Sequence, residues 1–222
     1  DIRRFLEYAE RLCAVKSKET KLKTIRENRG LSQSQLAECS GVSLRSIQMY
    51  EQRVNDIDKA LEYAFKALEN CEKFSGDDNS RIAYINNYIG MLYEDMDVLI
   101  EAEDHYSLAL DMWRYNVGDN HVFVAEASKN LGLLWRKMKD YVKAEKYLLD
   151  AFNILHTSNI SGDDNLALAY SALGKNYALM GDYIRAEEYY QKSLKIRQEL
   201  LEPNDERIKL VEKRIEELKN RN

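Results

Sequence analysis

The chain has 222 residues, 45% of them hydrophobic and 32% charged, with a formal net charge of −5 and a single proline, Pro203. That is enough for one or two domains with a sizeable core. A membrane-spanning class is excluded, because no apolar run approaches the ~18–20 residues that a span needs. Three widely spaced cysteines, Cys13, Cys39 and Cys71, argue against a disulfide frame and for reduced thiols in a cytoplasm.

The charge is uneven. Residues 1–56 hold 11 Lys and Arg against 8 Asp and Glu, a balance of +3, which leaves −8 on the rest. A basic front on an acidic body fits a head that faces nucleic acid. No secretory leader pattern opens the chain, which begins at Asp1 rather than Met and is expected to be a piece of a longer protein.

Residues 1–16 place Ile2, Phe5, Leu6, Ala9, Leu12 and Cys13 on one helical stripe with charges opposite. Such a helix needs a partner, either the next domain or a second copy of itself, so a homodimer is one expectation. From Lys21 to Glu51 the pattern turns to short helices with sharp turns. Gly30 stops the first, Ser32 caps the next, Gly41 makes a left-handed turn, and Ser43 caps a third over residues 44–51. Two short helices joined by a tight glycine turn make a helix-turn-helix.

The stretch LKTIRENRGLSQSQLAECSGVSLRSIQMYE resembles the lambda-repressor-like (Cro-like, XRE-type) helix-turn-helix over about residues 20–54. The resemblance implies that Leu36, Ala37, Val42 and Ile47 hold the two helices together. It also implies that Gln33 touches a DNA phosphate, while Ser43, Leu44, Arg45 and Gln48 face the major groove of double-stranded DNA. The chemistry agrees, since Arg can bond a guanine edge twice, Gln an adenine edge, and Leu can touch a thymine methyl. Members of that family continue with a loop and two further helices. Here residues 55–59 lead instead to ALEYAFKALENCEKF, with Leu61, Ala64, Phe65 and Leu68 as its apolar stripe. The head therefore looks truncated, and two readings stay open: a working DNA reader, or a segment absorbed into the repeats beyond it.

Those repeats are one helix pair written three times. Gly90, Gly132 and Gly174 stand 42 residues apart, as do Tyr93, Trp135 and Tyr177, then Met96, Met138 and Met180, then Ala102, Ala144 and Ala186. A fixed period in this range signals a solenoid, in which one unit cannot bury its apolar face alone. Gly on one helix and Ala on the next let the backbones approach. Stepping back one period from Ala102 and Ala109 lands on Ala60 and Ala67, so a half-repeat precedes the full ones. The turns SGDDN, VGDNH and SGDDN supply Gly to end one helix and Asp or Asn to cap the next. They are too short for a calcium loop.

The pattern of Leu or Ile-Gly, an aromatic three residues on, and Ala twelve after the Gly resembles the tetratricopeptide repeat. The 42-residue period resembles its kinesin-light-chain subtype. The resulting expectation is an all-α chain, with a helix-turn-helix unit over residues 1–55 and a right-handed α-solenoid over residues 56–222. The solenoid divides into a half-repeat over 56–79, repeats over about 80–118, 121–161 and 164–202, and a solvating cap helix over 204–222.

In arrays of that family the first helix of each pair lines a concave groove for a peptide. The matching positions imply Tyr84, Asn87, Met91 and Glu94 from the first pair. The second gives Glu126, Lys129, Leu133 and Arg136, and the third Ser171, Lys175 and Ala178. Asn87 can bond a peptide backbone twice, and Lys129, Arg136 and Lys175 can meet the carboxylates of an acidic peptide or a free C-terminus.

His105, His121 and His156 have no ligand constellation around them, so structural or surface roles are expected and no metal is assigned. There is no phosphate-cradling glycine loop, nucleophile set or HExxH motif, so no catalytic residue or cofactor is assigned. The arrangement resembles the peptide-responsive quorum-sensing regulators, which join the same two modules. The leading expectation is a bacterial, cytoplasmic transcription regulator; the alternative is a protein-interaction adaptor without DNA binding.

Overall fold

The computed structural model describes residues 32–34, 44–74, 80–158 and 163–220. Among these residues every regular element is helical. Gln33 opens a helix directly after Ser32. The longer helices are α1 (Leu44–Phe74), α2 (Ser80–Asp95), α3 (Leu99–Val117), α4 (Val122–Lys137), α5 (Tyr141–Ser158), α6 (Asp163–Met180), α7 (Tyr183–Leu200) and α8 (Glu206–Lys219). Helices α2–α3, α4–α5 and α6–α7 form antiparallel pairs. Each pair stacks on the next, while α1 closes one end and α8 the other.

The period that runs through the sequence is a packing rule. Ala102, Ala144 and Ala186 are wholly buried, where each second helix presses on its first. The glycines face the same junction. A methyl group built on Gly90 would lie 2.7 Å from the Tyr106 ring, on Gly132 2.7 Å from Leu148 Cγ, and on Gly174 2.8 Å from the Tyr190 ring. Ser193, which stands where earlier repeats carry Ala109 and Ala151, is buried with its hydroxyl donating to the Ala167 carbonyl at 2.7 Å. The hydroxyl costs little there because it is bonded.

Each pair turns through one motif. The amides of Val98, Asp140 and Asp182 donate to the carbonyls of Tyr93, Trp135 and Tyr177 at 2.9, 3.0 and 3.0 Å. The residue before each is left-handed: Asp97 at φ 62, Lys139 at φ 67 and Gly181 at φ 83. This is the 6→1 closure of a Schellman turn. Between pairs, Gly118 ends α3 at φ 83, as its place in VGDNH predicts. The cap of α4, however, is His121 rather than Asp or Asn. Its Nδ1 accepts from the Phe123 amide at 3.3 Å while its ring packs on Phe123. His105 is buried, and His156 is exposed with its ring tilted against Phe152.

One expectation at the N-terminal end is corrected. The short helix at 44–51 and the helix at 60–74 are, with residues 55–59 between them, one unbroken helix of 31 residues. Ile57, Ala60, Phe65 and Leu68 pack on the core around buried Leu61 and Ala64. That packing overrides the weak helix propensity of Asn55, Asp56 and Asp58. Ala67, one period before buried Ala109, is exposed, since no described helix covers the face that α2 covers on α3. The expected amphipathic helix at 1–16 and the turn at Gly41 lie outside the described residues.

Candidate functional site

Helices α2, α4, α6 and α8 are tied side by side by their own side chains. Asn130 Nδ2 donates to Asn87 Oδ1 at 3.0 Å, and Lys137 Nζ to the Glu94 carbonyl at 2.7 Å, joining α4 to α2. Arg136 Nη1 reaches the Ala172 carbonyl at 3.3 Å, joining α4 to α6. Arg214 Nη1 donates to Ser171 Oγ at 3.0 Å, joining α8 to α6. The first helix of each pair thus forms one continuous wall. The C-terminal helix, read from sequence as a solvating cap, is the fourth stave of that wall. It is fixed by Arg197, which is buried on α7 and donates from Nη1 to the Arg207 carbonyl at 2.9 Å.

The groove residues inferred from sequence fall on this wall in different states. Met91 and Glu126 are exposed. Tyr84 is half-exposed, with its ring held edge-on by Trp113 and Phe123 at 4.9 and 5.2 Å. Asn87 is half-buried and gives its oxygen to Asn130, so it has only part of its amide left for a ligand. Glu94 accepts from the Tyr106 hydroxyl at 3.0 Å. Lys129, Leu133, Arg136 and Ala178 are half-buried, and Lys175 is exposed. Ser171 is only 6% exposed and holds Arg214, so it positions a side chain rather than offering one.

Three of the wall's cations gather at its C-terminal half. Burial holds the Arg136 guanidinium below its ordinary value, and Arg214 adds to the fall. Lys175 is held down by burial, then by the charges of Arg136 and Arg214. Beneath them lies Tyr190, buried and raised by burial, with Arg214 and Arg136 pulling it back. The Arg214 guanidinium sits 5.8 Å from its ring centre. Of the acids nearby, Glu94 accepts from the Tyr106 hydroxyl while its charge pulls Arg136 back up, and Glu217 stands 3.8 Å from Lys213. Sequence reasoning missed Arg214, although Asn130, Ala172 and Arg214 stand one period apart and stepping into the tail finds it.

Of the residues assigned to DNA, Leu44, Arg45 and Gln48 lie exposed on the first turns of α1, and Gln33 is half-buried. Ser43 lies outside the described residues. Gln48 also lines a cleft between α1 and α2 with Met49, Gln52, Ile57 and Leu92. Among the described residues no helix is long and apolar enough to cross a membrane, and no group of three or more His, Cys, Asp or Glu is placed to hold a metal.

Stacked helix pairs with one helix of each pair forming a shared wall define an α-solenoid. The tetratricopeptide repeat family matches residues 81–156 and 136–199, more than half of the chain, which therefore belongs to that family. A helix-turn-helix family matches residues 22–63, ending inside α1 and past the boundary expected at 55/56. The chain thus joins a helix-turn-helix segment, the signature of a DNA-binding module, to repeats of a kind that mediates protein interaction. No curated protein matches it.

Among solved structures it is similar to BtubC (BKLC) from P. vanneervenii. The two are 20% identical, with 95% of this chain and 91% of that chain covered at a TM-score of 0.64. It is also similar to the N-terminal domain of stress-induced protein-1 (STI-1) from C. elegans, at 14% identity, with 65% and 99% covered and a TM-score of 0.50. At these identities the likeness concerns the fold alone.

Proposed function

We propose that the protein is a cytoplasmic transcription regulator of bacterial type. Residues 1–55 read double-stranded DNA, and residues 56–222 hold a peptide or protein segment against the wall of α2, α4, α6 and α8. The observation that carries this reading is α1. One helix bears exposed Arg45 and Gln48 near its start and, further along, Leu61 and Ala64 buried against the first repeat. A ligand that shifts α2 acts on the DNA-facing end through a single rigid element, with no loop to absorb the movement.

The test is selection of binding sites from random duplex DNA across a salt series, comparing the wild type with Arg45→Ala/Gln48→Ala. A DNA reader yields a consensus, and the double variant loses roughly ten- to a hundred-fold in affinity for it, as expected for lost base-edge bonds. Affinity for both proteins falls with salt through the phosphate contacts. Equal, weak, unselective binding by both would refute DNA reading. Capture of one stoichiometric protein partner, unaffected by Arg45→Ala, would then favour an adaptor.

A further inference from the structure

We propose that residues 1–16 dock on α1 as the first helix of the half-repeat, antiparallel to it, as α2 lies on α3. The face that receives them is written in α1. On α3 the stripe Leu99, Ala102, Tyr106, Ala109 and Trp113 faces α2: Gly90 meets the Tyr106 ring, and Tyr84 meets Trp113 edge-on at 4.9 Å. One period earlier α1 carries Ile57, Ala60, Ala64, Ala67 and Cys71. Ala67 is exposed, and Ile57, Ala60 and Cys71 are only half-buried. Tyr63 is exposed too, although its counterpart His105 is buried and held by Asn86 of α2. At the N-terminal end of this face a cleft opens between α1 and α2, lined by Met49, Gln52, Asp56, Ile57, Ala60 and Leu92. Face and cleft mark one slot, that of a stave preceding α2.

Residues 1–16 fit that slot in length, shape and charge. They match the 16 residues of α2. Where α3 sets Tyr106 and Trp113 against the glycine-bearing α2, α1 sets Ala64 and Cys71. The slot is therefore wider and calls for large apolar side chains and no glycine. The segment supplies Ile2, Phe5, Leu6 and Leu12 on one stripe and has no glycine. Lys16 stands three residues after Cys13, at the end of that stripe. Antiparallel docking brings it to the end of the slot where Asp56 is exposed. From there the chain has to reach Leu44, about 20 Å along α1, which residues 17–43 span with ease. The same tether holds the segment at a roughly millimolar effective concentration, which favours its own chain over a second copy. Gln48 lines the same cleft, so the docked segment borders the end of α1 that the proposed function turns towards DNA.

The experiment is a thermal double-mutant cycle on the full chain with Leu6→Asp and Ala67→Glu. Docking predicts that each substitution lowers the melting temperature by roughly 4–10 °C, and that the double variant melts no lower than the worse single one. Without docking, both positions are exposed surface, and each change shifts the melting temperature by no more than about 2 °C. Oxidising the Ala60→Cys variant and mapping its disulfides identifies the occupant. Antiparallel docking sets Cys13 opposite Ala60, whereas Cys71 lies about 16 Å away along the same helix, too far to pair. A link to Cys13 within one chain supports the docking, and the thermal coupling decides where no link forms. Additive or negligible thermal effects overturn it. A link to Cys39 gives the slot to the helix-turn-helix segment, and a link between chains gives it to a second copy; either result overturns the proposal as well.

Discussion

His105 makes the stability of the first repeat depend on pH, and the size of the effect is set by its surroundings. The imidazole lies buried between three helices. Its Nδ1 is 2.8 Å from Asn86 Oδ1 on α2, its ring stacks on Tyr93 at 5.6 Å, and Phe65 of α1 approaches at 6.1 Å. Burial lowers its pKa from 6.5 to about 4. The charged form is thus disfavoured in the folded state, so the contribution is complete above the unfolded value. It is lost as the pH falls from 6.5 towards 4. Between pH 7.5 and 4.5 linkage gives a loss of roughly 2.5 kcal/mol. Carboxylates titrate at the lower end of this window, so the assay is a difference measurement. Urea unfolding of wild type and His105→Gln at half-unit steps of pH should show the wild type falling more steeply below pH 6.5. The Gln variant starts lower but descends with a shallower slope. In a solenoid each repeat touches only its neighbours, so amide exchange should quicken first in α1, α2 and α3. A His105 ring proton that titrates by NMR at or above 6.5, or equal slopes for the two proteins, would refute the argument.

Gly132→Ala should destabilise by about 1–2 kcal/mol in denaturant unfolding. The overpacking against Leu148, whose backbone nitrogen lies 3.1 Å from the new methyl, exceeds the helix propensity gained. Lys139→Gly should stabilise by about 0.5 kcal/mol by relieving a side chain at φ 67, whereas Gly181→Ala, at φ 83, should destabilise by about 1 kcal/mol. Ser128 is fully buried with no hydrogen-bond partner for its hydroxyl among the described residues. Ser128→Ala should therefore leave the melting temperature unchanged or raise it, and a clear fall would mean that the hydroxyl is bonded after all.

The repeat was legible because close packing writes itself into identity: only Gly fits opposite Tyr106, Leu148 and Tyr190, and only a small residue fits at 102, 144 and 186. Turn position was legible at Gly118 for another reason, a left-handed φ of 83, since nothing lies within 4 Å of where its side chain would start. The cap on α4 was not, since a His acting through Nδ1 is no common cap, and its neighbour Phe123 supplies half of its hold. The run Asn55 to Lys59 carries the composition of a linker, and only Ile57 and Ala60 docking on the core makes it helical. On the wall, the period placed the residues but not their commitments. Ser171 and Asn87 look equally open in sequence, and the structure has one holding Arg214 and the other bonded to Asn130. Such pairings join residues 43 apart on different helices, one step off the repeat, and no periodicity reveals which side chains bend towards each other.

The unbroken α1 changes what a ligand on the wall can do. Had a loop separated residues 51 and 60, movement of the first repeat would have been absorbed there, and any coupling between the two parts would need direct contact. From Leu61, the first fully docked residue, to Leu44 the helix rises about 25 Å. A tilt of about 5° at the docked end then displaces the other end by about 2 Å. On the proposed DNA reading, that is enough to misalign side chains that would have to meet base edges at hydrogen-bond distance. Coupling of this kind needs a ligand that prefers one position of α2 over another. The lateral bonds Asn130–Asn87 and Lys137–Glu94 tie α2 to α4, so a segment seated across the wall bears on α2 through its neighbour, even where its strongest contacts lie further along.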